Sequence, residues 1–275
     1  MKGAAGVQAP APNLKWRHMM KKVTAFIGSN RKGSTYRAVR QFEEKLKARA
    51  DIDFEIVFFK DYDLEYCRGC KLCFDRGEDR CPVKGDRDQL IVKIDESDGI
   101  IFAAPNYAFQ VPAVMKNALD HLAFVFHRPR FFRKTFTSIV TQGFFGGRPI
   151  AKYLANMGQN LGFTPVGGCI LQTAPEPLSG AIRKRNDRGI ERSAARFART
   201  LARPAAPAPS LFRLMIFRIS RNRLRRMGPA YFDYLYYQEK GWFTSDYYYE
   251  TSLGPFMKLA GRFFDLLGRW MAKIA

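Results

Sequence analysis

Five short apolar runs, each followed by a segment of helical periodicity, divide the first two hundred or so residues, and few folds accommodate that order. The runs are 23–27, 54–59, 99–104, 136–141 and 166–172. Brief and little interrupted by charge, they fit strands buried on both faces. The intervening segments place apolar residues three and four apart. Val39, Phe42 and Leu46 do so within 34–50, and Leu90, Ile91 and Ile94 within 86–96; 111–126, 150–161 and 181–201 complete the set. A strand followed by a helix returns to the sheet parallel to its predecessor, and the helices then cover both faces. The expected fold is α/β, a three-layer sandwich around a five-stranded parallel sheet. Ligands of such sheets sit beyond the carboxyl ends of the strands, where strand order reverses. The loops after the first, third and fourth runs are therefore the place to look.

The first of these loops reads GSNRKGST at 28–35. Its small residues let the backbone wrap an oxyanion, and the following helix offers free N–H groups with partial positive charge. Ser29, Ser34 and Thr35 add hydroxyls, and Arg31 and Lys32 add charge. The spacing approaches that of a nucleoside-triphosphatase loop, but Ser34 stands where the phosphate-reaching lysine belongs. A single terminal monophosphate suits such a loop better than a triphosphate.

The third and fourth loops carry APNY at 104–107, with KNALDH at 116–121 behind it, and TQGFFGG at 141–147. In order and spacing, these segments together with 28–35 resemble the flavodoxin-like NADPH-dependent FMN reductases over about residues 22–175. The resemblance implies a flavodoxin-like domain that binds FMN. It places the phosphate at Ser29, Asn30, Arg31, Gly33, Ser34 and Thr35, and the ring at Pro105, Asn106, Tyr107, Thr141 and Gly143. Tyr107 or Phe109 would supply the flat wall a flavin ring needs, and the glycines would admit close backbone approach. For Tyr107 the competing reading is ordinary core packing. Two positions depart from the family pattern. Tyr36 stands where many relatives carry Asn, loosening a phosphate contact, and His121 stands where Arg is common, leaving the subunit interface less defined.

Cys67, Cys70, Cys73 and Cys81 form the sharpest local pattern. The first three match the C-x2-C-x2-C run of bacterial ferredoxins, and Pro82 follows the fourth, although seven residues separate Cys73 from Cys81 where three are usual. On this domain the loop, 61–85, resembles that of the iron-sulfur flavoproteins, which implies a [4Fe–4S] cluster near FMN. Zinc held by four thiolates, or a metal-free thiol pair made acidic by Arg68 and Lys71, are the alternatives. Cys169 falls in a strand and reads as a small core residue.

Clustered cysteines do not make a secreted disulfide scaffold, so a reducing, cytoplasmic setting is expected. Residues 1–21 read as a disordered leader, with Met19 or Met20 as possible starts, and 22–202 as the flavodoxin-like domain. No apolar run approaches the ~20 residues that span a bilayer. A Pro/Ala linker at 203–210 precedes a basic, aromatic appendage at 211–275. Within it, Phe256, Leu259, Phe263, Leu267, Trp270 and Ile274 share one helical face, and Lys258, Arg262, Asp265, Arg269 and Lys273 another. The apolar face is expected to pack on its own domain, the other prospects being a partner or a peripheral membrane contact. The tyrosine-rich stretch 231–249 either lines an aromatic or quinone-like pocket or packs as a subdomain core. The net charge of +21 favours anionic partners, but no recognition motif accompanies it, so no nucleic-acid partner is expected. The combined expectation is an FMN-dependent oxidoreductase that draws on NAD(P)H, serves a small-molecule acceptor and assembles as a homo-oligomer. An iron-sulfur electron-transfer protein is the alternative.

Overall fold

The computed structural model describes residues 20–174, 176–203 and 206–274. All but the last two residues of the expected leader lie outside that range, as do Pro204 and Ala205 of the linker. In chain order the domain runs β1 (Lys21–Ile27), α1 (Ser34–Lys47), β2 (Ile52–Phe58), α2 (Leu72–Asp75), α3 (Arg87–Glu96) and β3 (Gly99–Pro105). It continues α4 (Ala113–His121), α5 (Ala123–His127), β4 (Thr135–Gln142), α6 (Gly147–Leu161), β5 (Thr164–Pro165), β6 (Cys169–Gln172) and α7 (Gly180–Leu201). Lys21, assigned to the leader from sequence, opens β1: it pairs with Ile52 across the sheet and its ammonium lies 2.9 Å from Asp98.

Every strand pair is parallel, in the order β2-β1-β3-β4-β5, with β6 also on β4. The order reverses between β1 and β3, so the loops leaving those two strands open side by side. The single fifth strand expected over 166–172 is two pieces on one edge. Gly168 causes the break: a Cβ there would lie 2.1 Å from the Ser138 carbonyl oxygen, so the chain presses too close for regular pairing. The helix expected over 111–126 likewise divides, at Leu122, whose ψ of 7° leaves the helical range.

Each face of the sheet has its own core. Val39, Phe42 and Leu46 of α1 pack with Ile190, Ala194 and Phe197 of α7 on one side. On the other, Leu90 and Ile94 of α3, Met115 and Leu119 of α4, and Ile150 and Leu154 of α6 enclose Phe26, Phe102 and Phe136. Burying each large side chain contributes roughly 1.5–3 kcal/mol, which outweighs the weak intrinsic helicity of segments this short.

Three further helices follow: α8 (Leu211–Met227), α9 (Phe232–Glu239) and α10 (Pro255–Ile274). The tyrosine-rich stretch is a packed core, with Tyr237, Trp242, Tyr247, Leu214 and Phe217 buried together and Phe132 stacked on Tyr248. Burial pushes the Tyr248 phenol up to about 12. α10 corrects the sequence reading. Its Phe256, Leu259, Phe263, Trp270 and Ile274 are exposed, and it is Gly261, Phe264, Gly268 and Ala272 that face inward. Asp265 leaves the basic row and turns to Arg218, Arg221 and Asn222 of α8. The two glycines let the helices approach closely, a Cβ on Gly268 falling 3.0 Å from the Ile219 Cα, and the buried arginines require a carboxylate.

Candidate functional site

β1 delivers the chain into the crevice, where the Gly28 N–H bonds to the Ala103 carbonyl at 2.8 Å and ties the first loop to β3. A Cβ on Gly28 would meet Met115 at 3.0 Å, so α4 packs against bare backbone there. Ser29 donates to the Arg31 carbonyl at 2.8 Å, curling the loop back on itself. The N-cap of α1 is Gly33, which has no side chain to occupy the helix's free N–H groups, and the first turn carries no acid. Those amides are left available to an external anion. Thr35 shares a buried 2.7 Å hydrogen bond with Thr141, fixing the first loop to the end of β4.

Asn106 leaves β3 with its N–H on the Thr141 carbonyl at 2.7 Å, and its side-chain amide donates to the Phe145 carbonyl at 2.9 Å. Its Oδ1 is buried and unpartnered. Tyr107 and Gln110 then bridge in a tight turn with Ala108 and Phe109 at positive φ. Non-glycine residues pay roughly 1–2 kcal/mol each for that conformation, and here it holds Tyr107 and Phe109 outward, 49% and 59% exposed. Core packing is thus excluded for Tyr107. The 141–147 loop lies against this turn, with the Phe109 and Phe145 rings 5.5 Å apart.

Ten of the eleven positions singled out for FMN line one hollow: Ser29, Arg31, Gly33, Ser34, Thr35, Pro105, Asn106, Tyr107, Thr141 and Gly143. Asn30 lies beside it, in a neighbouring hollow with Gly28 and Pro112. Gln142 and Thr173 complete the lining and were missed from sequence. Thr173 follows β6 and reaches the site only because its N–H bonds to the Gln142 carbonyl, a pairing with no local sequence signal. Tyr36 stacks on Phe58 at 6.0 Å and packs against the core of the α1 face.

The 116–121 motif holds the cysteine loop. Asn117 donates to the Leu64 carbonyl at 3.0 Å and accepts from the Cys67 N–H at 3.2 Å, while buried His121 bonds the Glu65 carbonyl at 2.7 Å. Both side chains hold the entry of the cysteine loop. Its exit is closed by Asp63 and Asp86, which exchange backbone and side-chain bonds. Within the loop, Cys67 and Cys70 are exposed and Cys73 and Cys81 half-buried. Among the described residues no three His, Cys, Asp or Glu side chains gather as a metal centre. The four thiols share this one loop, where Cys67 and Cys81 both act electrostatically on Cys73. Arg68 and Lys71 do not acidify Cys73: burial pushes its thiol up, Cys81 adds to that, and Arg128 opposes it. Arg68 instead lies near Glu65. Cys169 is a core residue, its thiol pushed up to about 12 by burial.

Arg128, fully buried, organises the inner side of the loop. It donates to the Cys73 carbonyl at 2.8 Å, pairs with Glu78 at 2.8 Å, and pairs with Asp233 of α9. Phe124 and Phe232 flank its guanidinium. Burial raises the Glu78 carboxyl, but its own backbone N–H, Arg128 and Arg130 outweigh that and leave it below the usual carboxylate range. A depressed folded value means that Glu78 stabilises the fold above the unfolded pKa and ceases to as pH falls through the folded one. Thermal unfolding followed from about pH 6 to about pH 3 should therefore lose stability less steeply in Glu78→Gln than in the parent.

The phosphate-loop amides, the unpaired Asn106 acceptor and the aromatic rim now have a family context. Residues 21–174 match the model of NADPH-dependent FMN reductases. The chain belongs to that family. The FMN reductase domain is 32% identical over 149 residues to an iron-sulfur flavoprotein of Archaeoglobus fulgidus, covering 53% of this chain and 66% of that protein. It is 37% identical over 102 residues to iron-sulfur flavoprotein MJ1083 of Methanocaldococcus jannaschii, covering 36% of this chain and 50% of that protein. The chain thus spans between half and two thirds of these curated relatives. The crystal structure of RosB with a bound riboflavin-phosphate intermediate shares the fold, at TM-score 0.53 and 14% identity over 66% of this chain and 79% of that one. As an FMN reductase family member, the domain has a flavodoxin-like fold.

Proposed function

We propose that the chain holds FMN in this hollow, takes hydride from NAD(P)H and passes electrons to a small acceptor such as a quinone or a second flavin. One observation carries the reading. The uncapped, hydroxyl-ringed amino terminus of α1 opens into a hollow that Asn106 also lines, and the buried Asn106 Oδ1 has no partner. The first suits a phosphate dianion and the second an N–H donor, and FMN carries both. When bound, FMN supplies exchange between two-electron and one-electron chemistry. The chain supplies position: Ser34, Thr35 and the first-turn amides hydrogen-bond the phosphate, Arg31 offsets its charge, Asn106 orients the polar edge of the ring, and Tyr107 and Phe109 exclude water from its face. The exposed rim formed by Tyr107, Phe109, Phe144 and Phe145 is where we place the acceptor and, in a homo-oligomer, the second copy.

Titrating flavin-free protein with FMN should quench flavin fluorescence to a defined end point, and the loaded protein should oxidise NADH or NADPH with an artificial acceptor. A protein that takes up no FMN overturns the reading. Gly146→Ala supplies a local check. Gly146 has φ +92°, and a Cβ there would fall 2.4 Å from the Phe109 ring and 2.9 Å from the Asn106 amide. Strain of roughly 1–2 kcal/mol displaced onto those two side chains should weaken FMN binding about tenfold.

A second reading, electron transfer through a cluster in the cysteine loop, is favoured by the four thiols sharing one clamped loop and by the names of the relatives. It requires Cys67 and Cys70 to turn inward from their exposed positions. Iron and sulfide assayed after anaerobic purification test it: absence of both removes it, whereas slow pyridine-nucleotide turnover with both present supports it.

A further inference from the structure

The apolar face of α10 points away from the protein. Phe256, Leu259, Phe263, Leu266, Trp270 and Ile274 are each at least 58% exposed. At 100° per residue they form one stripe opposite Gly261, Phe264, Gly268 and Ala272, which pack on α8. Twenty residues of helix make the stripe about 30 Å long, far beyond the scattered apolar exposure normal on a monomer. A buried helix would have turned this stripe inward; here the inward side is reserved for the closest approach to α8 and for Asp265.

The surrounding charge selects an occupant. Lys258, Arg262, Arg269 and Lys273 follow one edge of the stripe, and none makes an ion pair among the described residues. Asp265, the sole acid of the helix, is withdrawn beneath it into the Arg218–Arg221 cluster, so the outward side of α10 carries cations only. On α8, Arg223 and Arg226 are exposed as well. Two copies meeting stripe to stripe would set these cations against one another in a chain of net charge +21. An anionic lipid surface accepts both the apolar stripe and its basic edge. Nor does the helix span: no helix among the described residues is long and apolar enough to cross a membrane.

We propose that α10 docks the protein on the surface of an anionic bilayer, its apolar stripe set at the boundary of headgroups and acyl chains and its basic edge on lipid phosphates. The contact is independent of the flavin reading, because no residue of the flavin hollow takes part.

The test uses the full chain and vesicles of phosphatidylcholine with or without phosphatidylglycerol. The parent should float with phosphatidylglycerol vesicles, shift its tryptophan emission to the blue as Trp270 leaves water, and detach as salt approaches about 0.5 M. Phe263→Glu with Leu266→Glu alters only exposed positions, so the circular dichroism should be retained while vesicle partition falls at least about tenfold. Charge reversal at Lys258 and Arg262 should abolish the preference for phosphatidylglycerol. No flotation of the parent at low salt overturns the proposal. So does flotation undiminished in the Phe263/Leu266 variant, which would assign the binding to charge elsewhere. A parent dimer that this variant dissociates in vesicle-free buffer would show that a second copy covers the stripe, and would overturn it equally.

Discussion

Arg128→Met is expected to cost about 3–5 kcal/mol of stability, and to release the cysteine loop before the rest of the domain unfolds. The guanidinium has no exposure, and its partners Asp233 and Glu78 are buried or nearly so. Methionine fills much of the volume but leaves Asp233 with His127 alone and Glu78 with Arg130 alone. A buried carboxylate stripped of its cation is far costlier than one exchanged together with it. Adding Asp233→Asn to Arg128→Met should therefore recover part of the loss, a coupling that denaturant unfolding of the four proteins measures directly. The loop responds first because Arg128 also holds the Cys73 carbonyl, and α9 reaches the loop through the same side chain. Labelling of Cys73 under native conditions should accelerate well before the global transition. Stability within about 1 kcal/mol of the parent would remove Arg128 from its central place.

The parts legible from sequence were those with a short range. Strand–helix alternation is written in consecutive residues, and the phosphate loop is contiguous, so ten of the singled-out positions meet in one hollow. What sequence hid depends on partners far along the chain. The role of Asn117 and His121 emerges only when their acceptors, more than fifty residues earlier, are seen. Arg128 is an ordinary basic residue until Glu78 and Asp233 close around it. In α10 the stripe was correctly read as apolar, but its direction was not, because amphipathicity alone cannot tell a core from another solvent. Asp265 settles the matter: the buried Arg218 and Arg221 demand it, and that fixes the rotation of the helix.

Gly33→Asp should separate the anion-binding function of α1 from its folding. Aspartate is among the best N-caps, and at Gly33 its Cβ would meet only the flexible Arg31 side chain, at 3.5 Å. No side chain caps the helix now, and no acid lies in its first turn. The flavin-free variant should therefore be as stable as the parent or more so, by about 0.5–1 kcal/mol. The same carboxylate would stand where the phosphate dianion is proposed to sit and would occupy its amides. A single charge at about 4 Å and an effective dielectric near 20 opposes binding by roughly 4 kcal/mol, so FMN affinity should fall by at least about a hundredfold. Thermal unfolding of the flavin-free proteins and fluorescence titration with FMN read the two effects separately. Riboflavin, lacking the phosphate, should bind parent and variant almost alike. If FMN instead binds the variant as tightly as the parent, the α1 terminus is merely a turn that happens to lack a cap, and the phosphate lies elsewhere.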